Sequence, residues 1–131
     1  MPPTVFPGGA RGGATRSRAF VAPTAAGWPG VALMEWELSA QEWIDEHPHD
    51  EFNYVLEGTL MVECDGETVE VPAGQVVRVP AGSRGRYWAP EHARMLAIYG
   101  PNPDGASSTI VGIRNLAAQP AASPDVTTPP P

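Results

Sequence analysis

Residues 31–38 alternate in polarity, with Ala32, Met34, Trp36 and Leu38 on one side and Val31, Leu33, Glu35 and Glu37 on the other. A period of two predicts a strand with one buried face. Short apolar runs follow at 53–56 and 59–64, separated by Glu57-Gly58, which reads as a turn. Asp65-Gly66 is the strongest hairpin signal in the chain and joins 60–64 to 68–71. Pro72-Ala73-Gly74 and Pro80-Ala81-Gly82 predict two more turns, with a strand at 76–79 between them. Strands at 86–88 and 95–99 close the series, and 19–21 supplies a further short one. No segment carries a convincing helical period. Many short strands punctuated by turn signals predict an antiparallel sandwich or small barrel.

Composition supports that reading and narrows the chemistry. Among 131 residues there are 16 Pro and 14 Gly, too many for a helical bundle. One domain is expected over 19–116. Residues 1–18, rich in Pro, Gly and Arg, read as a flexible arm in which Val5-Phe6 could dock as an edge strand. Residues 117–131, made of Ala, Pro, Ser, Thr and little else, read as a disordered tail. The formal net charge of −7 argues against nucleic acid and anionic membrane as partners. There is no Lys, so Schiff-base chemistry and a Lys-dependent phosphate loop are excluded. The single cysteine, Cys64, excludes an internal disulfide framework. It is also a poor nucleophile, because the neighbouring Glu63 and Asp65 disfavour the thiolate. No apolar run approaches the length of a membrane-spanning helix and no apolar signal core is visible near Met1, so a cytoplasmic protein is expected.

Charge is segregated. The acids crowd between Glu35 and Glu70, where there is no Arg, and Arg78, Arg84, Arg86 and Arg94 follow. Arg84 and Arg86, at a turn and a strand start, are candidates for gripping an anionic substrate at a pocket rim. The densest chemistry lies in Asp45-Glu46-His47-Pro48-His49-Asp50-Glu51. In a regular strand Asp45, His47, His49 and Glu51 would share one face, although Pro48 invites a bend. Imidazole with carboxylate suits Fe, Mn, Ni, Co or Zn. A solvated acidic loop with two surface histidines competes with that reading on spacing alone.

The stretch from Ser39 to Gly100 resembles the cupins, small antiparallel jelly-roll barrels (double-stranded β-helices). Their first motif runs Gly, five residues, His-x-His, three or four residues, Glu, six residues, Gly. Here Ser39, Asp45, His47, Glu51 and Gly58 take those places. In the second motif Gly74, Pro80 and Gly82 match, while Gly85 and Ala89 stand at the His and Asn positions. The runs 50–60, 65–68 and 80–83 are similar to the ethanolamine-utilisation (EutQ-like) cupins, to which acetate kinase activity is attributed. Nothing in this short, Lys-free chain supports the use of ATP.

The resemblance implies a mononuclear metal enzyme of oxygenase, isomerase, decarboxylase or lyase type. A divalent transition metal (Fe, Mn, Ni or Zn) would sit on His47 and Glu51 with Asp45 and His49. The substrate would be small and anionic. His47, Glu51 and Tyr99 would carry catalysis, and Tyr54, Met61, Arg84, Arg86 and Trp88 would contact the substrate. Because Gly85 lacks a ligand, a metal-free cupin that binds a small ligand, or a non-catalytic accessory dimer, is the alternative. Small cupins pair, so a homodimer formed by exchange of the 19–21 strand is expected, covering open sheet edges.

Overall fold

The computed structural model describes residues 2–116, and the expected tail at 117–131 lies outside them. Among the described residues there are nine strands, β1 (Arg18–Val21), β2 (Ala32–Leu38), β3 (Gln41–Glu46), β4 (Glu51–Cys64), β5 (Glu67–Pro72), β6 (Val76–Val79), β7 (Arg84–Ala89), β8 (Ala93–Tyr99) and β9 (Thr109–Asn115). All strand pairs are antiparallel. The order along the curled sheet is β1-β2-β8-β4-β7-β3-β9, with β5 and β6 added to β4. The all-β barrel expected from the turn pattern is therefore the observed architecture.

The expected turn at Glu57-Gly58 is instead a bend inside one long strand. The first half of β4 pairs with β6 and β8, and the second half pairs with β5 and β7, so β4 belongs to both walls. The register slips between Val55 and Glu57, and Gly58 has φ +75°. A Cβ at Gly58 would come within 2.0 Å of the His92 carbonyl oxygen, so only glycine fits where the strand changes wall.

Trp36, Leu38, Val55, Leu60, Val62, Tyr87, Ala89, Met95 and Ala97 point inward and form the core. They come from β2, β4, β7 and β8 and follow period two, except that in β4 the parity changes between Val55 and Leu60 at the bend. Truncating a fully buried member such as Leu60 to Ala is expected to cost roughly 2–5 kcal/mol.

β3 and β9 lie outside the sequence expectation. β3 carries Glu42, Asp45 and Glu46, and two of these acids are buried, so no apolar alternation marks it. β9 is an edge strand with Ile110, Val111 and Ile113 exposed. Both ends of the described segment are tied down from outside. Glu35 on β2 accepts hydrogen bonds from Arg11, Arg18 and Arg94, and Glu37 from Arg11 and Arg16. The second half of the segment read as a loose arm is thus anchored to the barrel. On the opposite wall Glu42 is bonded by Arg86 and by Arg114 of β9. β1, the strand offered for exchange between subunits, pairs with β2 of its own chain.

Candidate metal and ligand site

The anchored ends bring residues to one end of the barrel. Along the arm, Arg16 and Arg18 turn out to the glutamates while Thr15 and Ser17 turn to a cavity of about 260 Å³. Ile110 of β9 reaches the same cavity. Met34, Trp36, Trp43, Ala97 and Tyr99 make its walls, and Asp45, His47 and Glu51 its polar corner.

That corner is tightly built. His47 Nε2 lies 2.8 Å from Asp45 Oδ2 and 2.8 Å from Glu51 Oε1. One donor atom from each of the three residues falls within 4.8 Å of the others. Partners behind them set their orientation. Trp43 Nε1 donates to Asp45 Oδ2 at 2.7 Å, and Asn53 Nδ2 donates to Glu51 Oε2 at 2.9 Å. Asn53 is itself held by Trp36 Nε1 at 2.7 Å. His47 Nδ1 meets Ser108 Oγ at 2.6 Å, which leaves Nε2 to face the carboxylates.

Burial alone would lower the His47 pKa, but the hydrogen bonds and charges of Asp45 and Glu51 outweigh it and hold the imidazole up at about 10. A proton therefore occupies the space between two carboxylates at neutral pH. Tyr99 is pushed up to about 12, by burial first and then by the Glu51 charge, so its hydroxyl stays neutral.

His49 does not join the donor cluster. The chain bends at Pro48 and His49, which breaks the parity that would have aligned it. Its ring stacks instead on His47 (centroids 4.7 Å apart) and on Tyr99 (5.1 Å). Its Nδ1 contacts the Asp50 carbonyl. Burial, followed by the charge of His47, lowers its pKa, so it is neutral. His47, His49 and Tyr99 also border a second cavity of about 440 Å³, completed by Trp28, Asn102 and Ser108 among others.

The Gly85 position is filled from elsewhere. Gly85 stands directly across from Asp45 in the β3–β7 ladder. A Cβ on it would lie 2.9 Å from both Cε1 and the hydroxyl of Tyr87. Tyr87 is fully buried, and its hydroxyl has no hydrogen-bond partner among the described residues; the same holds for Asp45 Oδ1.

The remaining expected contacts fall outside the cavity. Tyr54 projects from the outer face of β4 and is exposed, because Glu51, Asn53 and Val55 take the inward positions. Met61 is likewise displaced by Leu60 and Val62, and it borders a separate groove with Glu70 and His92. On β7 the inward places go to Gly85, Tyr87 and Ala89, which turns Arg84, Arg86 and Trp88 outward. Arg84 pairs with Glu46 at 2.7 Å, and Arg86 pairs with Glu42 and lies over the Trp88 ring. The lining of the 260 Å³ cavity contains no arginine among the described residues; Arg84 and Arg86 border a separate cavity of about 340 Å³, beside Glu63 and Asp65. Burial raises the Cys64 thiol pKa, in keeping with an inert cysteine.

Sequence reasoning missed Asn53, Ser108 and Tyr87. Asn53 and Tyr87 carried a usable signal, since each lies two residues from a motif position (Glu51 and Gly85) and shares its face. Ser108 carried none, because a loop distant in sequence delivers it.

Comparison with known proteins agrees with this fold. The cupin domain family matches residues 32–99. The acetate kinase EutQ of Clostridioides difficile is 31% identical over 72 residues, 55% of this chain and 45% of that one. The tetracenomycin polyketide synthase protein TcmJ of Streptomyces glaucescens is 34% identical over 86 residues, 63% of this chain and 56% of that one. The chain thus spans about half the length of these curated relatives. The structure of the Clostridium difficile EutQ protein superposes with a TM-score of 0.56 at 24% identity, covering 67% of this chain and 64% of that one, a likeness of fold. With a family match across both motifs and a barrel that gathers the motif residues at one end, the chain belongs to the cupin family.

Proposed function

We propose that this cupin is a small-molecule enzyme that holds one divalent transition metal on Asp45, His47 and Glu51. The observation that carries this is the cluster itself: three donor atoms within 4.8 Å, on a cavity, with a buried Asp45 oxygen lacking any partner among the described residues. Two carboxylates and one imidazole suit Fe, Mn, Ni or Zn, and three protein ligands leave room for exchangeable ones. When bound, the metal supplies Lewis acidity and a place for an oxygen ligand. The chain does the rest. Trp43 and Asn53 fix the carboxylates, Ser108 fixes the imidazole tautomer, and the tryptophan walls exclude water. Tyr99 lines the same cavity, and its neutral hydroxyl would donate a hydrogen bond to substrate. The apolar, arginine-free lining favours an uncharged substrate. Exposed Phe52, Tyr54 and Val76 on one outer face support pairing of two copies there.

The test is elemental analysis of protein purified without a His tag, beside His47→Ala. Stoichiometric Fe, Mn, Ni or Zn in the first and none in the second is expected. A wild-type protein that carries no metal, and takes up none on dialysis against these ions, overturns the proposal.

A second reading has its own observation. The imidazolium bridged between Asp45 and Glu51 offsets one of their two charges without a metal. A metal-free site would use that proton for acid–base work, or only to bind a ligand. A ligand-induced rise in melting temperature that survives chelation supports it.

A further inference from the structure

Two polar atoms in the barrel interior are left without partners among the described residues, and they have complementary needs. Asp45 Oδ1 is an acceptor and the Tyr87 hydroxyl is foremost a donor. Buried polar groups are nearly always paired, so each orphan calls for an explanation. They belong to one neighbourhood, because Asp45 faces Gly85 across the ladder and the Tyr87 hydroxyl sits 2.9 Å from where a Gly85 Cβ would be. Within this barrel, a side chain at position 85 and the Tyr87 ring in its present place exclude each other.

Burial, and then the charges of Glu51 and Asp45, keep the Tyr87 phenol neutral, so it can donate. Tyr87 packs edge-on against Trp36, and a phenylalanine would fill that space equally well. The hydroxyl is the part that packing does not explain. A bare proton would satisfy Asp45 but not Tyr87, and an apolar ligand would satisfy neither. A water alone would pair with both atoms but would leave two carboxylates facing one imidazole; a cation carrying an oxygen ligand meets all three needs, the carboxylates by its charge and the phenol by its oxygen.

We propose that Tyr87 is a positioning residue of the metal site, its hydroxyl using the space left by Gly85 to donate a hydrogen bond to an oxygen bound with the metal at Asp45, His47 and Glu51. The inference rests on the metal reading above and adds a residue to it.

The experiment compares chelator-treated wild type with Tyr87→Phe. Each is titrated with Zn²⁺ and with Mn²⁺ by calorimetry and melted with and without the ion. Tyr87→Phe is expected to melt at or above the wild-type temperature without metal, because an unpaired hydroxyl has been removed. It is expected to bind metal about 10- to 100-fold more weakly, the loss typical of a partner behind the ligands. Gly85→Ala, which displaces the Tyr87 ring, should show the same loss and guards against a folding failure in the first variant. Equal affinity in wild type and Tyr87→Phe would show that Tyr87 only fills the core, with the metal reading left standing. Absence of binding by the wild type would overturn both.

Discussion

Four carboxylates are almost equally buried, yet they live in two different settings. Glu35 and Glu42, 3% and 4% exposed, lie on the outer walls, each matched by two or more arginines. Asp45 and Glu51, 4% and 6% exposed, lie inside and share a single imidazole. The outer pairs are neutralised and tie distant strands together, which is a structural role. The inner pair is under-compensated, and two close carboxylates with one proton-bearing partner are what a cation can exploit. Burial does not separate a functional acid from a structural one here; the supply of counter-charge does.

The contrast breaks most sharply at His47. Its replacement by Ala should abolish metal retention, read by elemental analysis. The equivalent cut outside, Glu35→Gln, should leave metal content untouched. It should still destabilise the fold by about 1–3 kcal/mol, less than for a fully buried pair because Arg11, Arg18 and Arg94 remain partly in water. Thermal melts would measure this, and a Glu35→Gln protein as stable as wild type would remove the clamp.

The two settings should also control opposite limbs of the pH profile of the metal-free protein. Glu35 and Glu42 are raised by burial but lowered further by their arginines, so their folded pKa values lie below 4.5. Their contribution is present above pH 4.5 and lost as pH falls through the folded values. His47 has the reverse sign. Its pKa rises from 6.5 to about 10, so its contribution is whole below pH 6.5 and fades as pH climbs to about 10. Glu35→Gln with Glu42→Gln should flatten the acid limb, and His47→Gln the alkaline limb. An unchanged alkaline limb in His47→Gln would separate that limb from the imidazole.

The smallest effect is expected at Arg84, whose pair with Glu46 is largely exposed. Arg84→Ala should change stability by less than about 0.5 kcal/mol and leave ligand or metal binding alone. A binding defect there would restore the arginine-gripped anion that the outward side of β7 argues against.

Much of the site was legible before the fold. His47 and Glu51 follow from motif spacing, and Asp45 from its place two residues earlier on a strand. His49 stands outside the donor cluster because a bend at Pro48 interrupts the alternation, which no count of residues reveals. Tyr54, Met61 and Trp88 lie on outer faces, and period two defines two faces without saying which is inner.

The chain alone determined an all-β architecture, through Pro, Gly and Asp-Gly turns whose backbone preferences act locally. It also determined which acid and imidazole fall together, because their spacing is short. The tertiary structure decided what long-range partners control. Arg86 and Arg114 neutralise Glu42, so that acid-rich β3 can pair between β7 and β9. The curl of β4 selects the inner face. The empty space at Gly85 admits a tyrosine from two residues away. Local preferences can be read along a chain, whereas counter-charge, inner face and empty volume exist only once distant segments meet.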